Sequence, residues 1–270
     1  MFLPRDEYIH GALDKYWLGE SVCVHWVNEN SCLLQFSSPE SSRDAALINA
    51  NQQVRRWSAA LVSQLPNWLE NYVPAYTSLL IVYDAELADK FSVLRCLRHI
   101  QSITQTQTDA VPNTDTSQQH HTIDVCYSPT LEQALPKNQL SGKTLPNDID
   151  IVSGYSALTI DEVIVLHCQP KYRVFTVGFL PNFAYMGLTE HALNIPRRSS
   201  PRKSVPAGAV AIADNQTAIY PQSSPGGWHI LGYTPLALGN NAQVQFRAGD
   251  TVSFRAISEE DYCQRVSSCD

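Results

Sequence analysis

The 270-residue sequence lacks the signatures of several large classes of protein. It has no run of about twenty apolar residues that could cross a bilayer as a helix, and its first residues have no apolar core of signal-peptide length. Its seven cysteines are scattered, with no Cys-x-x-Cys pair, which argues against a disulfide framework and against a zinc site. We therefore expect reduced thiols in a bacterial-type cytoplasm, with no bound metal and no membrane partner.

Motifs for catalysis and nucleotide binding are equally scarce. The chain has no nucleophile elbow, no metal-binding pair of histidines and no dinucleotide fingerprint, and no Lys-Ser/Thr follows its paired glycines to make a phosphate loop. Its net charge of -7 disfavours a nucleic-acid partner, which needs a broad cationic face. The lack of a complete catalytic set is typical of a subunit whose site is completed by another chain.

The residues that are present predict two domains. Hydrophobic residues make up 44% of the chain, enough for a packed core. The first part alternates strand patterns with helix patterns. The predicted strands are 22–27, 32–36 and 79–83, and the predicted helices are 45–65 and 91–103. This alternation predicts a small α/β sandwich over residues 1–103.

The composition then changes twice. Residues 104–121 are mostly polar and predict a linker or a surface excursion. Residues 122–270 carry short strand patterns separated by turns, which predicts a closed barrel. The predicted strands are 122–127, 174–179, 207–213, 217–221, 228–233, 242–246 and 250–257. A helical pair is predicted at 149–153 and 159–167, with Thr159 as N-cap and Glu162 as its capping-box partner.

Four cations lie in the middle of a segment rich in proline and glycine. They are Arg197, Arg198, Arg202 and Lys203, spaced by prolines at positions 196, 201 and 206. The planar fork of arginine suits carboxylate or phosphate, and prolines lower the entropy of ordering such a loop. One interpretation is an anion clamp, with Arg202 as its strongest member. The alternatives are a solvated basic loop and pairing with an acidic partner subunit.

Other polar groups nearby could orient a small ligand. Gln216 and Thr217 offer an amide and a hydroxyl at a strand end, or else form a turn bonded to its own backbone. Tyr220 could add a hydroxyl, although buried barrel tyrosines are common. Gly226 and Gly227 permit close backbone approach to an anion, or form a hairpin turn beside a core tryptophan.

One histidine and one aromatic turn complete the candidates. His229 is a possible proton carrier because its reference pKa lies near neutrality, although a single histidine on a strand is often structural. Phe179, Pro181, Phe183 and Tyr185 form an aromatic-rich turn, which either lines a site or simply closes one end of the barrel.

Several runs of the sequence resemble the family of B-type subunits of 5-oxoprolinase, also called kinase A inhibitor or allophanate hydrolase subunit 1. They are VPAYTSLLIVYD, GFLPNFAYMG, PRRSSPRKSVPAGAVAIADNQTAIYPQSSPGGW and HILGYTPLAL. The same module forms the C and D subdomains in the carboxyltransferase region of urea carboxylase. The resemblance implies an α+β fold, with a ferredoxin-like α/β sandwich followed by a cyclophilin-like β-barrel. It also makes residues 129–146 an insertion.

The resemblance implies a subunit of a prokaryotic-type 5-oxoprolinase, which opens 5-oxo-L-proline to L-glutamate with ATP. Its partners would be subunits of the A and C types, and ATP would be bound by the complex, on a chain left open. The expected catalytic residues are Arg202 and His229, and the expected substrate- or anion-binding residues are Arg197, Arg198, Lys203, Gln216, Thr217, Tyr220, Gly226 and Gly227. Two alternatives stay open: an inhibitor of a sensor histidine kinase, and a carboxyltransferase-type subunit that acts on urea or allophanate.

Overall fold

The computed structural model describes residues 15–40, 42–106, 118–135, 144–239 and 242–267. The chain divides into two compact units, Met1–Thr116 and Ser117–Asp270. Each unit buries its own apolar side chains.

The first unit is an antiparallel sheet with two helices. Its strands are β1 (Lys15–Leu18), β2 (Val22–Asn28), β3 (Ser31–Phe36), β4 (Leu69–Pro74) and β5 (Ser78–Tyr83), and its helices are α1 (Arg43–Gln64) and α2 (Lys90–Thr106). The sheet order is β1-β2-β3-β5-β4. The predicted strands and both predicted helices of this unit are confirmed, apart from shifts at their ends. The two edge strands, β1 and β4, were not predicted.

The core of the first unit follows from the two side-chain periods. Along β5, Leu79, Ile81 and Tyr83 are buried and alternate with half-buried neighbours. On α1, Trp57 and Leu61 are buried four residues apart, and so lie on one face of the helix.

The ferredoxin-like topology expected for residues 1–103 is not confirmed. From β3 to α2 the chain runs strand, helix, strand, strand, helix, and the order β3-β5-β4 agrees with that motif. A ferredoxin-like fold places a strand that follows the second helix beside the first strand. Here that place is occupied by β2, which precedes β3 in the chain and pairs with it as a hairpin.

The second unit is built mainly of short strands. They are β6 (His120–Val125), β7 (Tyr172–Val177), β8 (Ala184–Gly187), β9 (Arg202–Val205), β10 (Ala209–Ala213), β11 (Gln216–Ile219), β12 (Ser224–Gly226), β13 (His229–Tyr233) and β14 (Thr251–Ala256). Its helices are α3 (Leu131–Ala134), α4 (Ile149–Ser156), α5 (Ile160–Cys168) and α6 (Glu259–Ser267). Seven strands form one sheet in the order β13-β10-β11-β8-β7-β14-β6, and β9 pairs with β12 in a separate ribbon.

The two ends of the seven-stranded sheet meet just beyond β6. The Cys126 N–H donates to the Tyr233 carbonyl oxygen at 2.8 Å, and the Tyr233 N–H donates to the Cys126 carbonyl oxygen at 2.9 Å. These two bonds bring the residue that follows β6 against β13. The sheet is therefore nearly closed, as a barrel-like arrangement requires.

Gly232 makes this approach of the backbone possible. A Cβ atom there would lie 2.3 Å from the carbonyl oxygen of Cys126 and 3.0 Å from the Cα atom of Tyr127. Since both neighbours are backbone atoms, neither can rotate away. We expect Gly232→Ala to lower the free energy of unfolding by at least about 3 kcal/mol, the upper end of the usual overpacking range.

Urea denaturation checks this prediction. Gly154→Ala is the matched control, because Gly154 lies in α4 and a Cβ there meets nothing within 4 Å. Its alanine should stabilise the helix slightly. A Gly232→Ala chain as stable as the wild type would contradict the described closure.

Other predictions for the second unit have mixed outcomes. The helical pair is confirmed as α4 and α5, and the capping box at α5 is present: Thr159 Oγ1 accepts from the Glu162 N–H, and Glu162 Oε2 accepts from the Thr159 N–H. The strand predicted at 242–246 is wrong. The Phe246 N–H there donates to the Asn182 side-chain oxygen instead of to a neighbouring strand.

The polar segments are shorter than predicted. Helix α2 runs on to Thr106 and β6 begins at His120, so both ends of the expected linker at 104–121 belong to regular elements. The loop expected at 129–146 contains α3. Residues 107–117 and 136–143 of these segments lie outside the described residues.

Two general features concern the described part of the chain. No helix there combines the length and the apolar character needed to span a membrane. The cysteines there are free thiols, namely Cys23, Cys32, Cys96, Cys126, Cys168 and Cys263.

Candidate functional site

A buried carboxylate, Asp148, organises the centre of the candidate site. It precedes α4, and its side chain is 2% exposed. Its Oδ1 accepts hydrogen bonds from Arg198 Nη1 at 2.9 Å and from Arg202 Nη2 at 2.7 Å. Its Oδ2 accepts from the backbone N–H of Ile230 at 2.8 Å. One carboxylate thus holds two guanidinium groups and ties them to β13.

The charges of this cluster do not cancel. Arg198 and Arg202 carry two positive charges against the one negative charge of Asp148, and their side chains are only 27% and 18% exposed. Arg198 Nε and Arg202 Nη1 are buried and have no hydrogen-bond partner in the described ranges. Buried donors without partners are costly. The cluster is therefore suited to bind a further anionic group.

His229 lies at the start of β13 beside this cluster. It is 7% exposed, and its Nε2 is 3.1 Å from the carbonyl oxygen of Pro196. Because a carbonyl only accepts, Nε2 carries the hydrogen, and Nδ1 presents a lone pair that has no partner among the described residues. Burial lowers the pKa of His229, which favours the neutral ring. A neutral imidazole with an open lone pair can accept a proton.

A cavity of about 250 Å³, here called the aromatic pocket, adjoins the cluster through Arg198. Its walls include five aromatic rings and two cations. These are Phe179, Phe183, Tyr185, Tyr220 and Trp228, with Arg197 and Arg198. Phe183 is central, since its ring centroid lies 4.8 Å from that of Tyr185 and 5.3 Å from that of Tyr220. The aromatic turn predicted from the sequence therefore does line the pocket.

Two glycines shape one wall of the pocket. A Cβ atom on Gly226 would lie 2.3 Å from the hydroxyl oxygen of Tyr220, so only glycine leaves room for that ring. The carbonyl oxygen of Gly227 accepts a hydrogen bond from the Arg198 N–H at 2.8 Å. Gly226 also pairs with Arg202 between β12 and β9. The glycine pair thus joins the aromatic pocket to the arginine cluster.

The predicted four-cation clamp is divided among three environments. Arg198 and Arg202 face Asp148, whereas Arg197 borders the aromatic pocket with its side chain 60% exposed. Lys203 is exposed and lies outside the pocket lining. Neighbouring residues of a strand point to opposite faces, so Arg202 and Lys203 of β9 cannot share one anion.

Gln216 and Thr217 lie away from the aromatic pocket. Gln216 is half-buried and pairs with Gly187 of β8. Thr217 is fully buried, and its hydroxyl donates to the Ala211 carbonyl oxygen at 3.2 Å. The expectation of a strand-end hydroxyl facing a ligand is corrected here, because the inward side of β11 places Thr217 in the core.

Thr217 belongs to a buried hydrogen-bond chain around His167. Since the Thr217 hydroxyl donates to Ala211, it accepts from His167 Nε2 at 2.9 Å. His167 Nδ1 then accepts from the Tyr127 hydroxyl at 2.7 Å. These bonds fix one neutral tautomer of His167, and burial lowers its pKa to about 3.

The buried His167 makes stability depend on pH. In the unfolded chain its pKa is about 6.5, so below that pH the unfolded chain takes up a proton that the folded chain refuses. Stability is fully present above pH 6.5 and is lost as the pH falls towards 3. We expect His167 to contribute a loss of about 1.4 kcal/mol per pH unit in this window.

Urea denaturation between pH 7 and pH 4 measures this loss, with His167→Gln as the comparison. The wild type should lose stability more steeply than the variant, because only the wild type takes up this proton on unfolding. Equal slopes would contradict the assigned neutral state.

Asp148 was not among the predicted site residues. It stands between the loop expected at 129–146 and the helix that follows, where an aspartate is typical of a helix start and suggests no further role. Its partners Arg198 and Arg202 lie 50 and 54 residues further along the chain. A contact of that range leaves no local pattern in the sequence.

Comparisons with known proteins agree with this architecture. The model of the carboxyltransferase domain, subdomain C and D, matches residues 22–247. A Bacillus subtilis protein named as the B-type subunit of 5-oxoprolinase is 31% identical over 248 residues, which cover 88% of this chain and 94% of that protein. A Haemophilus influenzae protein of the same name is 44% identical over 110 residues, which cover 40% of this chain and 52% of that protein.

One solved structure extends the comparison to the fold. The structure of Kluyveromyces lactis urea carboxylase gives a TM-score of 0.64 over 93% of this chain at 16% identity. The match takes in 23% of that chain, and at this identity it shows the fold alone. Since the domain match covers most of the sequence and the Bacillus relative aligns over nearly its whole length, the chain belongs to the family of B-type 5-oxoprolinase subunits, with the carboxyltransferase subdomains C and D.

Proposed function

We propose that the chain is a subunit of a prokaryotic-type 5-oxoprolinase, which hydrolyses 5-oxo-L-proline to L-glutamate with ATP. The observation that carries the proposal is the near-full-length similarity to the Bacillus subtilis protein, whose name makes it the B-type member of such an enzyme. The site supports it with fixed positive charge at Arg198 and Arg202, an open lone pair on His229 and a small pocket beside them. Subunits of the A and C types are the proposed partners.

The chemistry explains why ATP is needed. A lactam resists hydrolysis because its amide is stabilised by resonance. In the proposed reaction the lactam oxygen takes the γ-phosphoryl group of ATP, and ADP leaves. Water adds to the activated ring carbon, and the ring C–N bond breaks to leave an acyl phosphate. A second water releases phosphate and L-glutamate.

The cluster has a role at the charged stages of this reaction. Arg202, held with Arg198 on Asp148, offsets negative charge that develops on the transferred phosphoryl group and the lactam oxygen. His229 Nδ1 accepts a proton from the attacking water. Because Asp148 holds both guanidinium groups, neither has to reorganise as the charge develops.

ATP itself is assigned to the complex rather than to the aromatic pocket. The pocket of about 250 Å³ lies below the range of about 300–1,000 Å³ that is usual for drug-sized ligands. An intact nucleotide is larger than such a pocket can enclose. The pocket is left for the smaller of the two substrates.

The experiment that tests the function combines the chain with its partner subunits and measures ADP and glutamate in the same samples. We expect equal amounts of both products, formed only when 5-oxo-L-proline, ATP and this chain are all present. Product formation that does not need this chain would contradict the proposal. Urea-dependent turnover with a biotin-carrying partner, in place of 5-oxoproline turnover, would favour a carboxyltransferase function.

A further inference from the structure

The aromatic pocket combines apolar walls with a single available cation. Of its two arginines, Arg198 is already bonded to Asp148. The guanidinium of Arg197 lies 5.9 Å from the ring centroid of Trp228, and its side chain is 60% exposed. Its ion pair with Asp214 is long, at 3.8 Å, and both partners face solvent, so that pair is weak. Arg197 is thus available to a ligand in the pocket.

We propose that the aromatic pocket binds a small saturated ring bearing one carboxylate, and that Arg197 pairs with this carboxylate. The inference rests on the proposed function, under which the ligand is 5-oxo-L-proline. It adds a subsite and a specificity-determining residue, Arg197, to that function.

The size of the pocket supports a small ligand. Its volume of about 250 Å³ leaves space for a five-membered ring with one substituent, but lies below the range for drug-sized ligands of about 300–1,000 Å³. Its walls are mostly aromatic, so they favour the apolar faces of such a ring.

The walls are also rigid. Phe183 meets Tyr220 edge to face with an interplanar angle of 86°, and meets Trp228 at 84°. The ring of Tyr220 is held against Gly226, where no side chain would fit. A pocket that is already shaped loses little entropy when a ligand binds.

The charge of the pocket supports a carboxylate. A guanidinium fork binds a carboxylate through two parallel hydrogen bonds. Arg197 also acts on the pocket hydroxyls: burial raises the pKa of Tyr185 and Tyr220, and the positive charge of Arg197 opposes that rise at both. Its charge is therefore directed at the same space that the rings enclose.

Asp214 provides an internal test of this assignment. It competes with the ligand for Arg197, because its carboxylate is the ion-pair partner that Arg197 has in the described structure. Removing its charge should release Arg197 and strengthen binding of the carboxylate. Removing Arg197 should weaken it.

The test is calorimetric titration of the full chain with 5-oxo-L-proline, with cyclopentanecarboxylate, which lacks the lactam, and with 2-pyrrolidinone, which lacks the carboxylate. Binding of 2-pyrrolidinone should be at least about ten-fold weaker than that of 5-oxo-L-proline. Arg197→Gln should remove this difference, and Asp214→Asn should increase it. Lys171→Gln is the charge-matched control, because Lys171 is exposed and outside the pocket lining.

A second readout in the complex separates this inference from the proposed function. Arg197→Gln should raise the KM for 5-oxo-L-proline about ten-fold and leave kcat nearly unchanged, as loss of uniform binding does. Turnover with an unchanged KM would overturn the inference and leave the proposed function standing. Carboxylate-dependent binding without any turnover in the complete complex would support the pocket and contradict the proposed function. Equal binding of 2-pyrrolidinone and 5-oxo-L-proline would overturn the inference outright.

Discussion

The Asp148→Asn chain is expected to lose about 3–5 kcal/mol of unfolding free energy, the usual cost of breaking a buried ion pair from one side. The substitution leaves the guanidinium groups of Arg198 and Arg202, which are only 27% and 18% exposed, without a counter-charge. The asparagine amide can still accept some hydrogen bonds, but it cannot offset two positive charges held close together.

Urea denaturation measures this loss, and Asp124→Asn is a matched control. Asp124 also pairs with two arginines, Arg255 and Arg265, but their side chains are 61% and 46% exposed. Exposed ion pairs contribute little to stability, so Asp124→Asn should cost much less than Asp148→Asn. Equal losses at the two positions would show that burial of the Asp148 cluster has no special energetic weight.

The Arg202→Gln chain is expected to fold and to assemble, but to lower kcat of the complex by about 10²–10³-fold. Arg198 still neutralises Asp148 in this variant, so the loss of stability should be smaller than for Asp148→Asn. The loss of rate follows from removing a fixed positive charge at the point where the proposed reaction develops negative charge.

Steady-state rates of ADP release check this prediction at matched amounts of assembled complex. Arg202→Lys should recover part of the rate, because it restores the charge without the planar fork. Lys171→Gln, which removes an exposed cation elsewhere, should leave kcat unchanged. A fully active Arg202→Gln complex would remove Arg202 from the chemistry and limit it to holding Asp148.

Much of the fold follows from local patterns. The capping box of Thr159 and Glu162 is a short-range signal, and it marks the start of α5 correctly. The alternation along β5 likewise predicts a strand with one buried face. Such elements are predictable because the residues that define them are close in sequence.

The missed and wrong elements have a common physical cause. The edge strand β4 is half-exposed and ends at Pro74, so it carries little hydrophobic alternation. At 242–246 the alternation is present, but Asn182 provides the hydrogen bond that a strand neighbour would give. Whether an alternating segment pairs depends on distant partners, which a local pattern does not contain.

The candidate site was predictable in its residue types rather than in its geometry. The prolines and arginines of one loop predicted an anion site, yet the partner of Arg198 and Arg202 is a carboxylate of this chain, Asp148. The aromatic turn predicted a lining that the pocket confirms, whereas the hydroxyl of Thr217 turned out to serve the core. Pairing across about fifty residues of chain separates these outcomes.

The most direct test of the central claim is an add-back titration. The partner subunits are held constant, this chain is added in increasing amounts, and the release of ADP that depends on 5-oxo-L-proline is recorded. If the chain is a required subunit, the rate rises from zero and saturates at a fixed ratio of chain to partners. A rate that is already full without the chain, or that stays at zero when the assembled complex is saturated with it, would contradict that claim.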